Sequence, residues 1–334
     1  MSASAPPPAS APLDRAAGRQ RALTVLGAAI SLAALAGVVV WALHQDAPAL
    51  PDSPSRLAAL AAAIVVYLAG CAARGERWLA LLRHNGAQPQ RADVHSLVAV
   101  GYLGNNVLPA RAGDALRVVF LTPRARTDAR TIIGTIVAER VLDVAVLIGL
   151  FVVLAYGVLG GIDVPSGGRL LFAALLVAAL IALVAGAALV LQRRGHLRRV
   201  LDFLAPMGAA TLRMRGRHGI SLLAWSLLVW GLEWGAWLLT AQAVGLHLGV
   251  LDVGYLMGLA TVFVLVPSGP GYVGTFDAAL IFGLHALGHS GAATLSYLLL
   301  LRFVVAVPIT LLGLIALGSR FGGIARMRAA VRTS

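Results

Sequence analysis

The chain has 334 residues, of which 59% are hydrophobic and 12% are charged, and its mean hydropathy is +0.85. So few charges cannot cover the surface of a soluble domain, so the composition predicts a polytopic membrane protein. The net charge is +13, and all 27 basic side chains are arginine. They cluster at the ends of apolar segments, as cytoplasmic loops do, which argues against nucleic-acid binding. A single cysteine, Cys71, excludes an internal disulfide and a multi-cysteine metal site.

Residues 1–20 are rich in Ala, Pro and Ser and predict a disordered cytoplasmic tail. Beyond them we predict an all-α single membrane domain over 21–320 and a basic cytoplasmic tail over 321–334. A helix needs roughly 20 apolar residues to cross a bilayer core of about 30 Å. Six segments meet this requirement: 22–43, 57–82, 131–157, 169–191, 219–245 and 293–318. Two further apolar stretches, 94–121 and 252–288, are broken by Pro, Gly and charged residues.

The distribution of arginine orients these segments, because cytoplasmic loops are enriched in it. The loops at 44–56, 158–168 and 286–292 are poor in arginine and are predicted to lie outside. The arginine-rich positions predicted inside are Arg15, Arg19, Arg21, Arg74, Arg77, Arg83, Arg91, Arg124, Arg126, Arg130, residues 193–217 and the C-terminal tail. The inside and outside loops alternate consistently along the chain only if each broken stretch enters and leaves the membrane on the same side. We therefore predict two re-entrant helical hairpins, inserted from opposite sides.

Residues of the first half recur in the same order in the second half. The matched pairs are Glu76 with Glu233, Asp93 with Asp252, Pro109 with Pro267, Gly113 with Gly271 and Arg140 with Arg302. The arginine distribution gives the two halves opposite orientations. The sequence therefore predicts an inverted repeat, with repeat one at about 57–157 and repeat two at about 219–318. In transporters with this architecture the binding site lies near the bilayer midplane.

The broken stretches place helix starts at membrane depth. Pro109 ends one helix, Gly113 permits a tight turn, and Asp114 is predicted to cap a helix that begins at Ala115. In the second stretch, Thr275 is the predicted cap. Two helix N-termini directed at the membrane centre would favour an anion, because each carries partial positive charge and free N–H groups.

Four arginines accompany these turns: Arg111 and Arg117 beside the first, and Arg140 and Arg302 deep in predicted spans. Each costs at least about 2.5–3.5 kcal/mol at the bilayer centre unless it is paired or hydrated. Available counter-charges are Asp114, Glu139, Asp143, Glu233 and Asp277. Because guanidinium groups suit bidentate capture of phosphate, we predict a lipid phosphate in a hydrated intramembrane groove.

Some of these residues could instead have a purely structural role. Arg140 and Asp143, at i and i+3, could neutralise each other on one helix face. Glu233 shares a face with tryptophans and could be a protonated packing residue, and Arg117 could extend to the cytoplasmic surface. His285 and His289 form an i, i+4 pair without a third ligand, so neither a metal nor another cofactor is predicted.

Three motifs resemble the lysylphosphatidylglycerol synthase transmembrane, or flippase-like, family over about residues 20–320. They are Asn106-x-x-Pro109-x-Arg111-x-Gly113-Asp114-x-x-Arg117, Glu139-Arg140-x-x-Asp143, and Pro267…Gly271-x-x-Gly274. The family often has Glu where this chain has Asp114, and an acidic residue near Asp277. The resemblance implies a membrane domain that moves or holds phospholipids or polyprenyl-type lipids between leaflets. Full synthases add a soluble aminoacyl-transferase domain, for which no room follows the last span, so lipid aminoacylation is not expected.

The leading hypothesis is a lipid flippase of the bacterial plasma membrane with both termini in the cytoplasm, not an enzyme. Its partners would be anionic phospholipids or polyprenyl- or hopanoid-type lipids, and lipid-biosynthesis enzymes. A membrane-embedded enzyme acting on a lipid phosphate, and a non-catalytic partner of a lipid-synthesis complex, are the alternatives. The candidate substrate-binding residues are Asn106, Arg111, Gly113, Asp114, Arg117, Glu139, Arg140, Asp143, Glu233, Gly271, Gly274, Asp277 and Arg302.

Overall fold

The computed structural model describes residues 32–108, 112–159, 216–264, 270–323 and 325, and every regular element in these ranges is helical. The described helices are α1 (Leu32–Leu43), α2 (Pro54–His84), α3 (Arg91–Val107), α4 (Ala112–Leu121), α5 (Ala129–Leu159), α6 (Gly216–Ala243), α7 (Val250–Val264), α8 (Thr275–Ala286) and α9 (Ala292–Arg320). The predicted all-α class is confirmed for this part of the chain.

Three of these helices, α2, α6 and α9, are long and apolar enough to cross a membrane by length and composition. They contain 31, 28 and 29 residues. At a rise of about 1.5 Å per residue, even the shortest is about 42 Å long and exceeds a hydrocarbon core of about 30 Å. They correspond to predicted spans 57–82, 219–245 and 293–318.

Helix α5 also has 31 residues and covers the predicted span at 131–157. Its described acidic and basic residues lie in its first half. The predicted span at 169–191 lies outside the described residues, and the one at 22–43 is described only from residue 32. The count of six spans therefore stays a prediction, as do the two tails.

Each broken stretch contains two helices separated by a short interruption. In the first stretch α3 and α4 flank residues 109–111, which lie outside the described part. In the second, α7 and α8 pack against each other, and a 3-10 turn at Pro270–Tyr272 precedes α8. A methyl group at Gly283 of α8 would lie 2.6 Å from Leu256 of α7, so the absence of a side chain there permits this packing.

Two details predicted for the first break are wrong. Helix α4 begins at Ala112 instead of Ala115, so Asp114 lies in its first turn and is not its cap. Gly113 is helical rather than part of a tight turn, and its N–H donates to Asn105 Oδ1 at 3.1 Å. A methyl group at Gly113 would lie 1.9 Å from the carbonyl oxygen of Gly101, so glycine serves the close approach of α3 and α4.

The cap predicted for α8 is displaced by one residue. Thr275 is the first helical residue, and Gly274, with φ of 90°, occupies the cap position. The Gly274 N–H donates to Asp277 Oδ2 at 2.8 Å. Glycine is required here because residues with a side chain rarely adopt this positive φ.

The chain divides into two compact units. The first unit comprises Met1–Ile64, Gly101–Gly113 and Ala236–Leu311, and the second comprises Val65–Val100, Asp114–Gly235 and Leu312–Ser334. Among the described residues of the first unit, Leu256, Leu284, Tyr297 and Leu301 are fully or almost fully buried. In the second unit, Leu81, Ala138 and Leu222 form a buried core cluster, with Ala80 and Leu142 packed against it.

Candidate functional site

The second unit contains a network of four arginines and four carboxylates on apolar helices, here named the charged cluster. Its members are Arg74 and Arg77 on α2, Asp114 and Arg117 on α4, Glu139, Arg140 and Asp143 on α5, and Glu233 on α6. The formal charges cancel. Charges in apolar surroundings persist only when they are paired and hydrogen-bonded, and this network supplies both conditions.

Arg77 lies at the most buried position of the charged cluster, with 1% of its side chain exposed. Its Nη1 donates to Asp143 Oδ1 at 2.6 Å and to Ser226 Oγ at 2.9 Å. Its Nη2 lies 3.7 Å from Glu139 Oε1. One guanidinium therefore connects two buried carboxylates of α5 to α2.

Arg117 is also buried, so the alternative that it extends to the cytoplasmic surface does not hold. Its Nη2 donates to Glu139 Oε2 at 2.5 Å, and its guanidinium carbon lies 3.8 Å from the ring centroid of Trp78. The Trp78 Nε1–H donates to Thr135 Oγ1 at 3.0 Å, which fixes the ring. An ion pair and a cation–π contact thus hold the same side chain.

Arg140 and Asp114 form the exposed edge of the charged cluster. Their side chains are 55% and 32% exposed, and the Arg140 Nη2 to Asp114 Oδ2 distance is 3.3 Å. The predicted Arg140–Asp143 pair exists, at 3.7 Å, but Asp143 has a shorter contact with Arg77. Asp114 also accepts from Arg117 at 3.3 Å. Both contacts of Arg140 are longer than the buried Arg77–Asp143 and Arg117–Glu139 contacts, which are 2.6 and 2.5 Å.

Glu233 contacts Arg74, so its carboxyl group has a partner beyond the neighbouring tryptophans. The Arg74 guanidinium also lies 5.4 Å from the ring centroid of Trp230 and 3.9 Å from Asp143 Oδ2. The Trp230 Nε1–H donates to Asp143 Oδ1 at 3.3 Å. Arg74 and Trp230 therefore connect α6 to the carboxylates of α5.

Sequence reasoning missed Arg74 and Arg77 as members of the site, because it assigned both to the cytoplasmic end of α2. Arg74 lies ten residues before His84, the end of the helix, which is about 15 Å along the axis. That depth was the signal that could have identified them, since a loop charge has no reason to lie so far inside a span.

In the first unit, Arg302 fixes the turn that precedes α8. Its Nε and Nη2 donate to the two carboxylate oxygens of Asp277 at 2.6 and 2.9 Å. Its Nη1 and Nη2 donate to the carbonyls of Gly271 and Tyr272 at 2.6 and 3.1 Å. We name this set of contacts the Arg302 clamp. Because Asp277 also caps α8, the chain's own carboxylate occupies the helix N-terminus that was predicted to attract a substrate anion.

The two broken stretches are neighbours within the first unit. A methyl group at Gly271 would lie 3.5 Å from the carbonyl oxygen of Asn106. The Asn106 side chain donates to Thr310 Oγ1 at 2.8 Å. Asn106, Gly271, Gly274, Asp277 and Arg302 therefore belong to the first unit, as does Gly113. Arg111, predicted as a phosphate ligand, lies outside the described residues.

Comparison with known proteins gives the family. Residues 24–313 match the lysylphosphatidylglycerol synthase TM region. The chain belongs to this family. Over 147 residues it is 29% identical to the glycosyltransferase AglD of Haloferax volcanii. The aligned segment covers 43% of this chain and 23% of that protein. No solved structure matches.

Membership of the lysylphosphatidylglycerol synthase transmembrane family, together with the three long apolar helices, makes the chain an integral membrane protein. The resemblance inferred from the three motifs is confirmed. Among the described residues, no group of three or more His, Cys, Asp or Glu side chains could hold a metal ion. The charged cluster is built from ion pairs between arginine and carboxylate side chains.

Proposed function

We propose that this protein is a flippase-like membrane protein that binds an anionic phospholipid or a lipid-linked phosphate and moves it between leaflets. The observation that carries the proposal is the exposed Arg140–Asp114 pair at the edge of an otherwise buried, charge-balanced cluster. The family supports lipid handling, since its region belongs to a lipid synthase.

The contact distances suggest how a phosphate would enter. Arg140 has two carboxylate contacts of 3.3 and 3.7 Å and a largely exposed side chain, so its guanidinium can turn towards another anion. A phosphate could bind it with two parallel hydrogen bonds, a stronger arrangement than either existing contact. Asp114 would keep its contact with Arg117, so neither released group would be left unpaired.

The buried half of the charged cluster would act as a fixed support during this exchange. Arg77 and Arg117 hold Asp143 and Glu139 at 2.6 and 2.5 Å, which positions α5 and therefore Arg140.

Movement of the lipid would draw on an ion gradient, a partner protein or mass action. Glu139, Asp143 and Glu233 are the candidate carriers of a coupling proton. We place the protein in the bacterial plasma membrane with both termini in the cytoplasm.

Reconstitution into liposomes that contain head-group-labelled phosphatidylglycerol tests the proposal. Transport moves label from the inner leaflet to the outer one, where an impermeant quencher destroys its fluorescence. We expect Arg140→Gln to lower the rate about tenfold or more, because a charge-assisted contact to the phosphate is lost. Asp114→Asn should instead strengthen binding of the lipid, because it removes the anion that competes for Arg140.

Arg56→Gln is the matched control, since Arg56 forms an exposed i, i+4 pair with Asp52 at 2.9 Å outside the charged cluster. Its transport rate should equal that of the wild type. Equal rates for the Arg140 variant and the wild type, or no protein-dependent quenching at all, would refute the proposal.

A second candidate, an enzyme that acts on a lipid phosphate, is favoured by the similarity to a protein named as a glycosyltransferase. The same liposomes distinguish the two, because mass spectrometry of the extracted lipid would reveal chemical conversion. An unconverted lipid that never changes leaflet would favour the third hypothesis, that the protein is a non-catalytic partner of lipid-synthesis enzymes.

A further inference from the structure

A polar groove of about 550 Å³ lies in the second unit, where three segments of the chain meet. The start of α3, the turn after α4 and the last turn of α9 line it with Gln90, Asp93, Arg124, Ser319 and Arg320. The Gln88 N–H donates to the Ala125 carbonyl at 2.9 Å and joins the first two of these segments. The groove shares no residue with the charged cluster, so its arginines need a separate explanation.

Arg124 is held in one orientation at this groove. Its Nη1 donates to the Phe120 carbonyl at 3.0 Å, and its Nη2 donates to the Arg320 carbonyl at 3.2 Å. Its guanidinium carbon lies 4.8 Å from the ring centroid of Phe321, which is fully buried. Within the described ranges Arg124 forms no salt bridge. Because the last carbonyls of a helix carry only partial negative charge, these contacts orient the guanidinium without neutralising it.

Arg320 contributes a second guanidinium, and its carboxylate partner is not close. Its Nε lies 3.4 Å from Asp93 Oδ1, whereas a charge-assisted hydrogen bond is usually about 2.7–2.9 Å long. The lining side chains therefore carry two guanidinium groups and one carboxylate, a net charge of +1. One phosphate diester would neutralise this charge, and a guanidinium can bind its oxygens with two parallel hydrogen bonds.

The face of α9 that continues from the groove is apolar. Ile315 and Leu312 lie four and seven residues before Ser319, which is the spacing of a single helix face. Both side chains are exposed, and α9 is long and apolar enough to cross a membrane. The groove thus lies at the polar end of an exposed apolar strip. A molecule that has both a phosphate group and hydrocarbon chains matches the two surfaces together, whereas a soluble phosphate matches the groove alone.

We propose that this groove binds the phosphate group of an anionic phospholipid through Arg124 and Arg320, with an acyl chain along Ile315 and Leu312. The arginine distribution predicts the turn after α4 on the cytoplasmic side, so the lipid would belong to the inner leaflet, whose surface is anionic. This site goes beyond the proposed transport and does not depend on it, because the transport proposal concerns Arg140 and Asp114 of the charged cluster.

Photocrosslinking tests the occupant. The full chain is reconstituted in phosphatidylcholine nanodiscs with a small fraction of phosphatidylglycerol that carries a photoactivatable diazirine in its head group, and adducts are mapped by mass spectrometry. We expect adducts in residues 88–93 and 319–323 that excess unlabelled phosphatidylglycerol removes. Excess inorganic phosphate should leave them unchanged, because it cannot use the apolar face of α9. Equal competition by inorganic phosphate would overturn the lipid assignment, and adducts spread evenly over the cytoplasmic loops would overturn the site.

Two substitutions with opposite expected effects distinguish phosphate binding from a structural role of the Arg320–Asp93 contact. Arg320→Gln should lower the adducts about tenfold, because a charge-assisted contact with the phosphate is lost. Asp93→Asn, at a lipid fraction below saturation, should raise them about threefold, because it removes the carboxylate that competes for Arg320. A contact that only stabilises the fold would make neither substitution strengthen binding, and that result would contradict the proposal.

Arg126→Gln is the matched control, since it removes the same charge from an exposed side chain in the same turn but outside the groove. Its adducts should equal those of the wild type. Equal losses in the Arg126 and Arg320 variants would mean that overall charge holds the lipid, and unchanged adducts in the Arg320 variant would likewise overturn the proposal. Arg140→Gln should leave these adducts unchanged even if it abolishes transport, so the two proposals can fail independently.

Discussion

Arg77 shows what a buried charge does for this molecule. Its guanidinium lies between Asp143 and Glu139, and its side chain is 1% exposed. We expect Arg77→Leu to destabilise the protein by about 3–5 kcal/mol, because removal of one partner leaves buried carboxylates without compensation. Thermal unfolding in detergent, followed by size-exclusion chromatography of the heated sample, measures this loss.

Arg91→Leu is the control for that experiment. Arg91 also pairs with a carboxylate, Glu76, at 2.6 Å, but its side chain is 68% exposed. Exposed pairs contribute roughly 0–1 kcal/mol, and Glu76 keeps a second partner in His95. Equal losses for the two variants would show that the charged cluster adds no stability beyond that of a surface pair.

Some contacts of the charged cluster could be inferred from the sequence, and others could not. Local spacing correctly predicted the Arg140–Asp143 contact, since i, i+3 neighbours share a helix face. The shorter contact of Asp143 is with Arg77, 66 positions away in the sequence, and Glu233 pairs with Arg74 at a separation of 159. Such pairs depend on the packing of separate helices, which residue spacing within one helix does not encode.

At the scale of elements, Gly113 sets how closely α3 and α4 approach. A methyl group there would lie 1.9 Å from the carbonyl oxygen of Gly101, which is backbone and cannot move aside. We expect Gly113→Ala to destabilise the protein by about 1–3 kcal/mol, the range for overpacking. Gly231→Ala, in the interior of α6 with nothing within 4 Å, should be neutral or slightly stabilising.

Thermal unfolding of these two alanine variants checks the prediction about helix approach. A Gly113 variant as stable as the Gly231 variant would mean that α3 and α4 can separate at no cost. The requirement for a glycine at this position was predicted, but its reason was wrong. A Pro-Ala-Arg-Ala-Gly sequence suggests a turn, whereas α4 begins one residue earlier than Gly113, and the glycine permits contact between helices.

The Arg302 clamp controls the start of α8. It bonds the carbonyls of Gly271 and Tyr272 as well as both oxygens of Asp277. We expect Arg302→Gln to speed amide hydrogen exchange in residues 270–286 at least tenfold, because the turn loses its side-chain contacts. Arg320→Gln, near the end of the same helix, removes the 3.4 Å contact with Asp93 and should leave exchange in 270–286 unchanged. If amide hydrogen exchange in residues 270–286 is as slow in both variants as in the wild type, the backbone alone holds the turn.

At the scale of the whole molecule, composition and motif spacing were sufficient for the helical class, the membrane environment and the family. Helix lengths followed from apolar runs, because a bilayer requires each span to exceed a minimum length. The proposed inverted repeat was a weaker guide to side-chain roles. It pairs Arg140 with Arg302, yet Arg140 lies exposed at the edge of the charged cluster, and Arg302 forms the clamp on the turn before α8. Equal positions in a repeat need not make equal contacts.

The orientation of the whole chain is a further prediction, and it depends on charge alone. Cytoplasmic loops are enriched in arginine, so the α4–α5 loop, with Arg124, Arg126 and Arg130, should lie inside and the α8–α9 turn outside. In a Cys71→Ser background, we expect a membrane-impermeant maleimide added to intact cells to label Ala286→Cys and not Arg130→Cys. Both positions are exposed, so access depends on the side of the membrane. After permeabilisation both should react, which confirms that each thiol is accessible. Labelling of both positions before permeabilisation would place the two loops on the same side, and the two hairpins could then not enter the membrane from opposite faces.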